Sequence, residues 1–493
     1  MALLNTNIGP ERVQVFDRPL GVVQLPGAAT SVTAFLISSS AAGAPENSPT
    51  RVTSLDEFVD VFGGPADIAN DAYYAVQGYY DNAGSGAPAW IVNVGESADA
   101  ADYIGSASDG SGLRALDAID EIGLVCIPGL PLSMAYLAQP ALIDYTETVR
   151  AEFGATLSTS FSLLAIPREI KKADSEALVT EAPKFVSVSG TGPYVLTVDD
   201  GAAGPVDLSM VTPGMIVKND SGSFKAVISA VDDGADTITI LTNPDTNFSA
   251  GDDVNVHLPS AVSYKEIVIN NPSRTSAWYF NNLVVADQSE DAELGDTVTV
   301  DPVGHVAGVI ARIDANIAIG GPSHAPAGIQ FAGLAGIVGL DLALSERVDA
   351  EPLRLAFINR ITSFPGSGNV IFGGYTADSG ESPLYTADEQ LIQVMRSVQY
   401  IKASLEKGLR GFLWENFSPE TQSQVERAIG SFLRNNIHLF PAGLPEAQQF
   451  KVLRVEPTQD ELDKGLLRVR VQIKPNKAVR FIEVALEFPL PTA

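Results

Sequence analysis

Hydrophobic and polar positions follow two periods along this chain, and the places where the period changes mark its parts. The clearest helical pattern lies late. Leu391, Met395, Val398, Ile401, Leu405 and Leu409 recur at spacings of three and four, which puts them on one face. Thr386, with Glu389 three residues on and Asp388 beside it, predicts a capping box at the start of this helix. Lys402, Lys407 and Arg410 lie near its end, where cations suit the helix dipole, and Gly408 and Gly411 offer a stop. Just upstream, the stretch from residue 353 opens with a buried-strand pattern. It turns at Phe364-Pro365-Gly366-Ser367-Gly368 and resumes as a short strand over 370–372.

From the start of the chain, Val13-Gln14-Val15-Phe16 is an extended candidate between Pro10 and Pro19. A lone strand is not stable in water, so it needs a distant partner in this chain or another. Residues 30–38 read as a strand. Ser54 caps a predicted helix over 55–62 that stops at Gly63-Gly64-Pro65. A second helix is predicted over 69–82 and a strand over 89–94. Further strands over 123–128 and 161–166 flank a predicted helix over 137–153. Apolar strands separated by helices imply an α/β layer with a largely parallel sheet.

Over 183–259 the pattern becomes period two, in six short runs at 185–188, 194–198, 215–217, 225–228, 237–241 and 253–257 separated by Gly, Asp and Pro turns. This reads as an all-β barrel or sandwich inserted into the α/β layer, whose pattern is expected to resume at 265–269 and 282–286. The apolar run 332–344, broken by Asp341, is too short to span a bilayer and reads as a buried helix. Near the C-terminus, Ser418-Pro419-Glu420 is a helix start, with Val425, Ile429, Phe432 and Leu433 as its apolar face. A strand over 450–455, an acidic turn and a strand in which Leu467, Val469, Val471 and Ile473 alternate with Arg468, Arg470, Gln472 and Lys474 follow. Ile482, Val484, Leu486 and Phe488 alternate in a last strand.

Composition narrows the function classes. A chain of 493 residues allows about three domains. Its net charge of −29 argues against direct nucleic-acid binding. From residue 390 onward, 14 Lys and Arg stand against 11 Asp and Glu, a local +3 that leaves −32 for the rest. One cysteine, Cys126 in apolar surroundings, excludes an internal disulfide and a Cys-based zinc site and reads as a buried thiol. Four scattered histidines suggest no metal centre, and no cofactor is expected. The chain has no P-loop string. The first residues lack a charged region followed by an apolar run, so folding in a cytoplasm is expected.

The stretch around the late helix resembles the centre of contractile tail sheath proteins, in phage tails and related injection systems. It carries a strand, an FPG turn, Gly-Gly-Tyr-Thr, and a helix with Ile401-Lys402-Ala403-Ser404-Leu405-Glu406 running into Trp414-Glu415-Asn416. The order of elements from residue 30 to 94 and from 418 to 488 is similar to that family as well. The resemblance implies an α/β multidomain fold: an N-terminal arm (1–25), an α/β sheath body (26–182 and 260–375) echoing a subtilisin-like sheet, the inserted outer β-domain (183–259), an α+β C-terminal core module (376–476) and a C-terminal arm (477–493). It implies a structural subunit, not an enzyme, that forms a helical polymer of stacked rings around an inner tail tube protein. Contraction would drive that tube through a target envelope. Baseplate and tail terminator proteins are the other implied partners, with no direct nucleic acid and no membrane-spanning segment. The implied location is the virion tail, assembled in the bacterial host cytoplasm. Val13, Val15 and Phe16, with Ile482, Val484 and Leu486, would be the strands of the two arms that join neighbouring subunits. Lys402, Lys407 and Arg410 would face an acidic inner tube.

One string points elsewhere. Gly304-His305-Val306-Ala307-Gly308 resembles the helix start around the catalytic histidine of subtilisin-like proteases. The catalytic position there, however, is occupied by Pro302, and no nucleophile string or acid accompanies it, so a Ser-His-Asp constellation is missing. A degenerate serine hydrolase and a secreted coat protein are the alternatives to the sheath reading.

Overall fold

The computed structural model describes residues 24–480, apart from residues 30, 97, 152–157, 174, 177–183, 191–192, 200–206, 220–223, 245–247, 290, 294, 379–386, 455–457 and 460–463. The candidate arm residues Val13, Val15, Phe16, Ile482, Val484 and Leu486 lie outside the described residues.

The first part alternates as expected: β1 (Thr33–Ile37), β2 (Thr50–Val52), α1 (Leu55–Phe62), α2 (Ala72–Ala83), β3 (Ala89–Asn93), α3 (Ala100–Ile104), β4 (Leu124–Cys126), α4 (Leu132–Asp144) and β5 (Phe161–Ala165). Seven strands follow: β6 (Ser175–Glu176), β7 (Lys184–Ser189), β8 (Tyr194–Asp199), β9 (Ile216–Lys218), β10 (Lys225–Asp232), β11 (Thr237–Ile240) and β12 (Asn255–Leu258). After the turn α5 (Ala261–Ser263) come β13 (Ser276–Phe280), β14 (Leu283–Ala286), β15 (Thr297–Val300), α6 (Val303–Ala315), β16 (Gly339–Leu340), α7 (Ala350–Leu355), β17 (Ile358–Phe364) and β18 (Gly368–Phe372). The C-terminal module holds α8 (Ile392–Leu409), α9 (Pro419–Asn435), α10 (Glu446–Gln449), β19 (Phe450–Arg454) and β20 (Val469–Ile473).

The main sheet has eight strands in the order β18-β17-β13-β5-β4-β1-β3-β2. Its six inner strands, β17 to β3, run parallel, and only the edge pairs β17–β18 and β2–β3 are antiparallel. β5 and β13 are sheet neighbours although the seven strands β6–β12 intervene in sequence. Those seven form their own antiparallel sheet, β6-β12-β9-β10-β11-β8-β7. Its far strand bends back, and Lys184 of β7 bridges Asp253 just ahead of β12. β15-β14-β16 and β19-β20 are two smaller sheets.

Alternation along the parallel strands separates two cores. Phe35, Ile37, Ile91, Leu163 and Tyr279 face α1, α2 and α6. Leu36, Val125, Leu164 and Trp278 face α4 and the seven-stranded sheet, whose Ile216, Val217 and Val256 join the same core. Successive side chains of a strand point to opposite faces, so a strand buried on both faces is apolar nearly throughout, with Thr33 of β1 and Ser162 of β5 as buried polar exceptions. β1 and β5 are buried at every position. The thiol of Cys126 is buried in β4, and desolvation pushes its pKa up.

Several expectations are corrected. The run 332–344 is not a helix. It passes along β18, where Ile371 donates to Ala332 O at 3.0 Å and Leu334 to Asn369 O at 3.0 Å, and only Gly339–Leu340 is a strand. Three glycines in that run, Gly336 with φ +77°, oppose a helix. The expected strand at 265–269 is a helical turn that follows the Ser260 cap and buries Tyr264 and Val268. A short apolar run does not distinguish the two states by itself. The run at 282–286 is a strand, in the three-stranded sheet and not in the main one. The helix expected over 137–153 starts earlier, at Leu132.

Candidate functional site

α8 is the element that ties the C-terminal module to the α/β layer. Thr386, the expected cap, lies outside the described residues. Glu389 holds Arg274 at 2.6 Å, and the helix begins only after Leu391. The apolar face then serves two cores in succession. Ile392 and Met395 are buried against the α2–α6 side of the main sheet. Ile401, with half-buried Leu405 and Leu409, packs with Val425, Ile429, Phe432 and Leu433 of α9. α9 starts as expected, with Ser418 Oγ accepting from Thr421 N at 3.1 Å.

Between the two apolar ends lies a polar seam. Arg396 of α8 pairs with Asp314 of α6, and the two side chains are only 3% and 5% exposed. Gln399 donates to the carbonyls of Ser158 at 3.2 Å and Ser160 at 2.8 Å, just ahead of β5. The N-terminal segment lies on the same helix. Ala28 N donates to Ser404 Oγ at 2.9 Å, and Leu25 is a member of the α9 core. A Cβ on Gly408 would come within 2.9 Å of Leu25, so the glycine gives the segment its seat and does not stop the helix. The helix ends at Leu409 in a tighter turn, Arg410–Phe412.

The three expected tube-facing cations sit at this end. Lys402 pairs with Glu406 at 3.1 Å, and Arg410 reaches Asp120 of the α/β layer at 3.1 Å. Lys407 and Arg410 line a cleft of about 600 Å³ between α8 and the layer, opposite Asp117, Asp120 and Glu121. Their charge is thus shared with acidic groups of the same chain. On β20 the alternation is as read: Arg470 and Gln472 are exposed, and Val469, Val471 and Ile473 are half-buried against the α9 core.

The Gly-His-Val-Ala-Gly string is a helix-packing device. α6 crosses α2 at close range: a Cβ on Gly304 would run into the carbonyl of Ala75, and one on Gly308 into Tyr79. His305 sits over Gly78, where no side chain intervenes. It is 1% exposed, and desolvation pulls its pKa down to about 4, so the ring is neutral at pH 7. Among the described residues its Nδ1 has no hydrogen-bond partner, so the ring lacks the carboxylate that orients a hydrolase base.

The carboxyl ends of β4 and β5, a common ligand position in open α/β sheets, are closed. Asp301 is buried there and accepts from Gly129 N and, at 3.0 Å, from Val303 N. Desolvation raises its pKa to about 6. Arg168 pairs with Asp71 across the same spot, leaving about 10 Å³, room for one water. Among the described residues, no group of three or more His, Cys, Asp or Glu is placed to hold a metal ion. No helix among them is long and apolar enough to cross a membrane.

No protein-family model and no curated protein matches the sequence. Solved structures do match along the whole chain. The helical sheath of the anti-feeding prophage in its contracted state aligns with a TM-score of 0.59 at 17% identity, covering 97% of this chain and 99% of that one. A sheath complex of the extracellular contractile injection system PVC, also contracted, aligns with a TM-score of 0.59 at 14% identity, covering 97% of each chain. A chain of the six-fold symmetrised anti-feeding prophage baseplate aligns with a TM-score of 0.58 at 16% identity over 98% of this chain and all of that one. This chain has the fold of contractile sheath proteins.

Proposed function

We propose that this protein is the subunit of a contractile sheath: a structural, non-catalytic chain that polymerises as a helical tube of stacked rings around an inner tube. The observation that carries the reading is the likeness over 97% of the chain to a contracted helical sheath, with no large part of either chain left over. Two features fit it. The described N-terminal segment is seated on the C-terminal module through Leu25 and Ala28, and the described C-terminal residues follow β20 of that module. The β19–β20 sheet has no third strand among the described residues, and open sheet edges accept strands from other chains. The arms 1–25 and 477–493 would supply such strands to neighbours, through Val13, Val15 and Phe16 and through Ile482, Val484 and Leu486. Where the two surfaces differ, the contact is head-to-tail and generates an open helix.

In this reading the body comprises 26–182 and 260–375 and the core module 376–476. The insert 183–259 is a small barrel at the outside, closed by the Lys184–Asp253 bridge. Lys402, Lys407 and Arg410 contact the tube protein, and the sheath ends on baseplate and terminator proteins. Assembly takes place in the bacterial cytoplasm and the product is a virion tail or injection machine. Electron microscopy of the purified chain, alone and co-expressed with its tube protein, tests the reading. Hollow helical tubes are expected, and replacement of Lys402, Lys407 and Arg410 by Gln should weaken tube–sheath assembly in a salt-sensitive way. Dispersed monomers under both conditions would overturn it.

A further inference from the structure

The turn after α8 puts an apolar finger into solvent. Trp414 is fully exposed, with Leu413 66% and Phe417 37% exposed on either side. The backbone of Trp414 has φ +71°, a left-handed conformation that bulky residues rarely adopt. Exposed aromatic anchors of this kind are the residues that carry binding energy when they enter a pocket.

A pocket that matches it lies on the same chain, at the other end of the same helix. It has a volume of about 410 Å³, within the range of sites that hold a group of this size. Its apolar wall is Ala325, Ala327, Phe372 and Leu391. The rim carries three arginines, Arg354, Arg360 and Arg480, against two glutamates, Glu346 and Glu351. Arg360 already lies over the ring of Phe372 at 4.8 Å, so the site stacks guanidinium on aromatic surface. The finger from Leu413 to Glu420 bears Glu415 and Glu420 and no cation. Arg354 pairs with Glu351 and Arg360 with Glu346, each at 2.6 Å, so the rim has one cation in excess opposite the acidic finger, and size and polarity match.

α8 has 18 residues, so finger and pocket stand about 27 Å apart along its axis. One copy cannot satisfy itself. We propose that Trp414 of one copy inserts into the pocket beside Leu391 of the next, a head-to-tail contact directed along α8. Such a contact joins unlike surfaces and repeats without closing on itself. The proposal rests on the sheath reading and names one of its lattice contacts.

The test uses the full chain with two cysteines introduced, Asn416→Cys beside the retained Trp414 and Ala327→Cys in the pocket, joined by a bismaleimide after assembly. Cys126 is the chain's sole native cysteine and is fully buried, so the background is low. A ladder of dimers, trimers and higher species is expected in the double variant and not in either single one. Trp414→Ala should raise the protein concentration needed for assembly at least about 30-fold, the effect of losing a strong aromatic anchor. Trp414→Phe should abolish the blue shift of tryptophan fluorescence that accompanies assembly. Tubes that form without a ladder, and with Trp414→Ala assembling like the parent, would overturn this contact and leave the sheath reading standing. Dimers without higher species would overturn its head-to-tail character. No assembly of the parent chain under any condition would overturn the sheath reading, and this contact with it.

Discussion

Replacing Arg396 by Met tests how the two parts of the chain are held together. Arg396 and Asp314 are 3% and 5% exposed, so the pair is screened from water. An exposed pair would contribute about 0–1 kcal/mol. Here the removal of one partner leaves a buried carboxylate without its counter-charge, which costs about 3–5 kcal/mol. Removing both charges is different. Arg396→Met with Asp314→Leu eliminates both desolvation costs and leaves no charge unpaired, at the cost of a larger side chain at 314, so it should recover most of the loss. Urea unfolding followed by circular dichroism and by tryptophan fluorescence measures each variant. The buried Trp278 reports on the α/β layer. The reasoning fails if the single variant loses less than 1 kcal/mol, or if the double variant is as unstable as the single.

Two further outcomes follow from the α2–α6 crossing. Gly308→Ala places a methyl group against Tyr79 where no space exists, and should lower stability by about 1–3 kcal/mol, measured by thermal unfolding. A gain in stability would show that the helices can part at little cost. His305 makes stability pH-dependent: its folded pKa of about 4 lies below the unfolded value of about 6.5, so the unfolded chain binds the proton more readily. Its contribution is fully present above pH 6.5 and is lost progressively as pH falls to about 4, by at most about 3 kcal/mol. Comparing unfolding at pH 7 and pH 4.5 in the parent and in His305→Gln checks this; an equal pH dependence in both would refute it.

The strong periodic signals were legible in the sequence. α1, with its Ser54 cap, falls on the expected residues, and so do β1, β3, β4 and β5 of the main sheet and the runs that become β7–β12, whereas β13, central in the same sheet, lies between two runs that the pattern singled out and not on either. The misreadings share a physical cause: tertiary contacts overrode local pattern. α8 starts at Ile392, later than the spacing of Thr386 and Glu389 suggests, and Glu389 ahead of it pairs with Arg274. The run 332–344 is apolar because it covers β18, not because it is helical. Gly408 looks like a helix stop; its role is visible only once Leu25, nearly 400 positions away, is placed against it. Lys402 and Arg410 read as cations suited to the helix end and to an acidic tube, and their carboxylate partners in this chain, Glu406 and Asp120, emerge only in three dimensions. The protease-like string was correctly weighed against its missing partners. What it does instead, allowing two helix backbones to meet at Gly304 and Gly308, required the identity of the opposing helix.

The division of α8 between two cores has a mechanical consequence. A single helix whose first turns are embedded in one layer and whose last turns are embedded in another acts as a shaft. Torque applied to the C-terminal module is delivered to the α/β layer without a hinge to absorb it, because the Arg396–Asp314 pair and the Gln399 bonds pin the shaft midway. In the proposed sheath, a subunit that turned would turn as one piece, and the work would be done at the joints between chains.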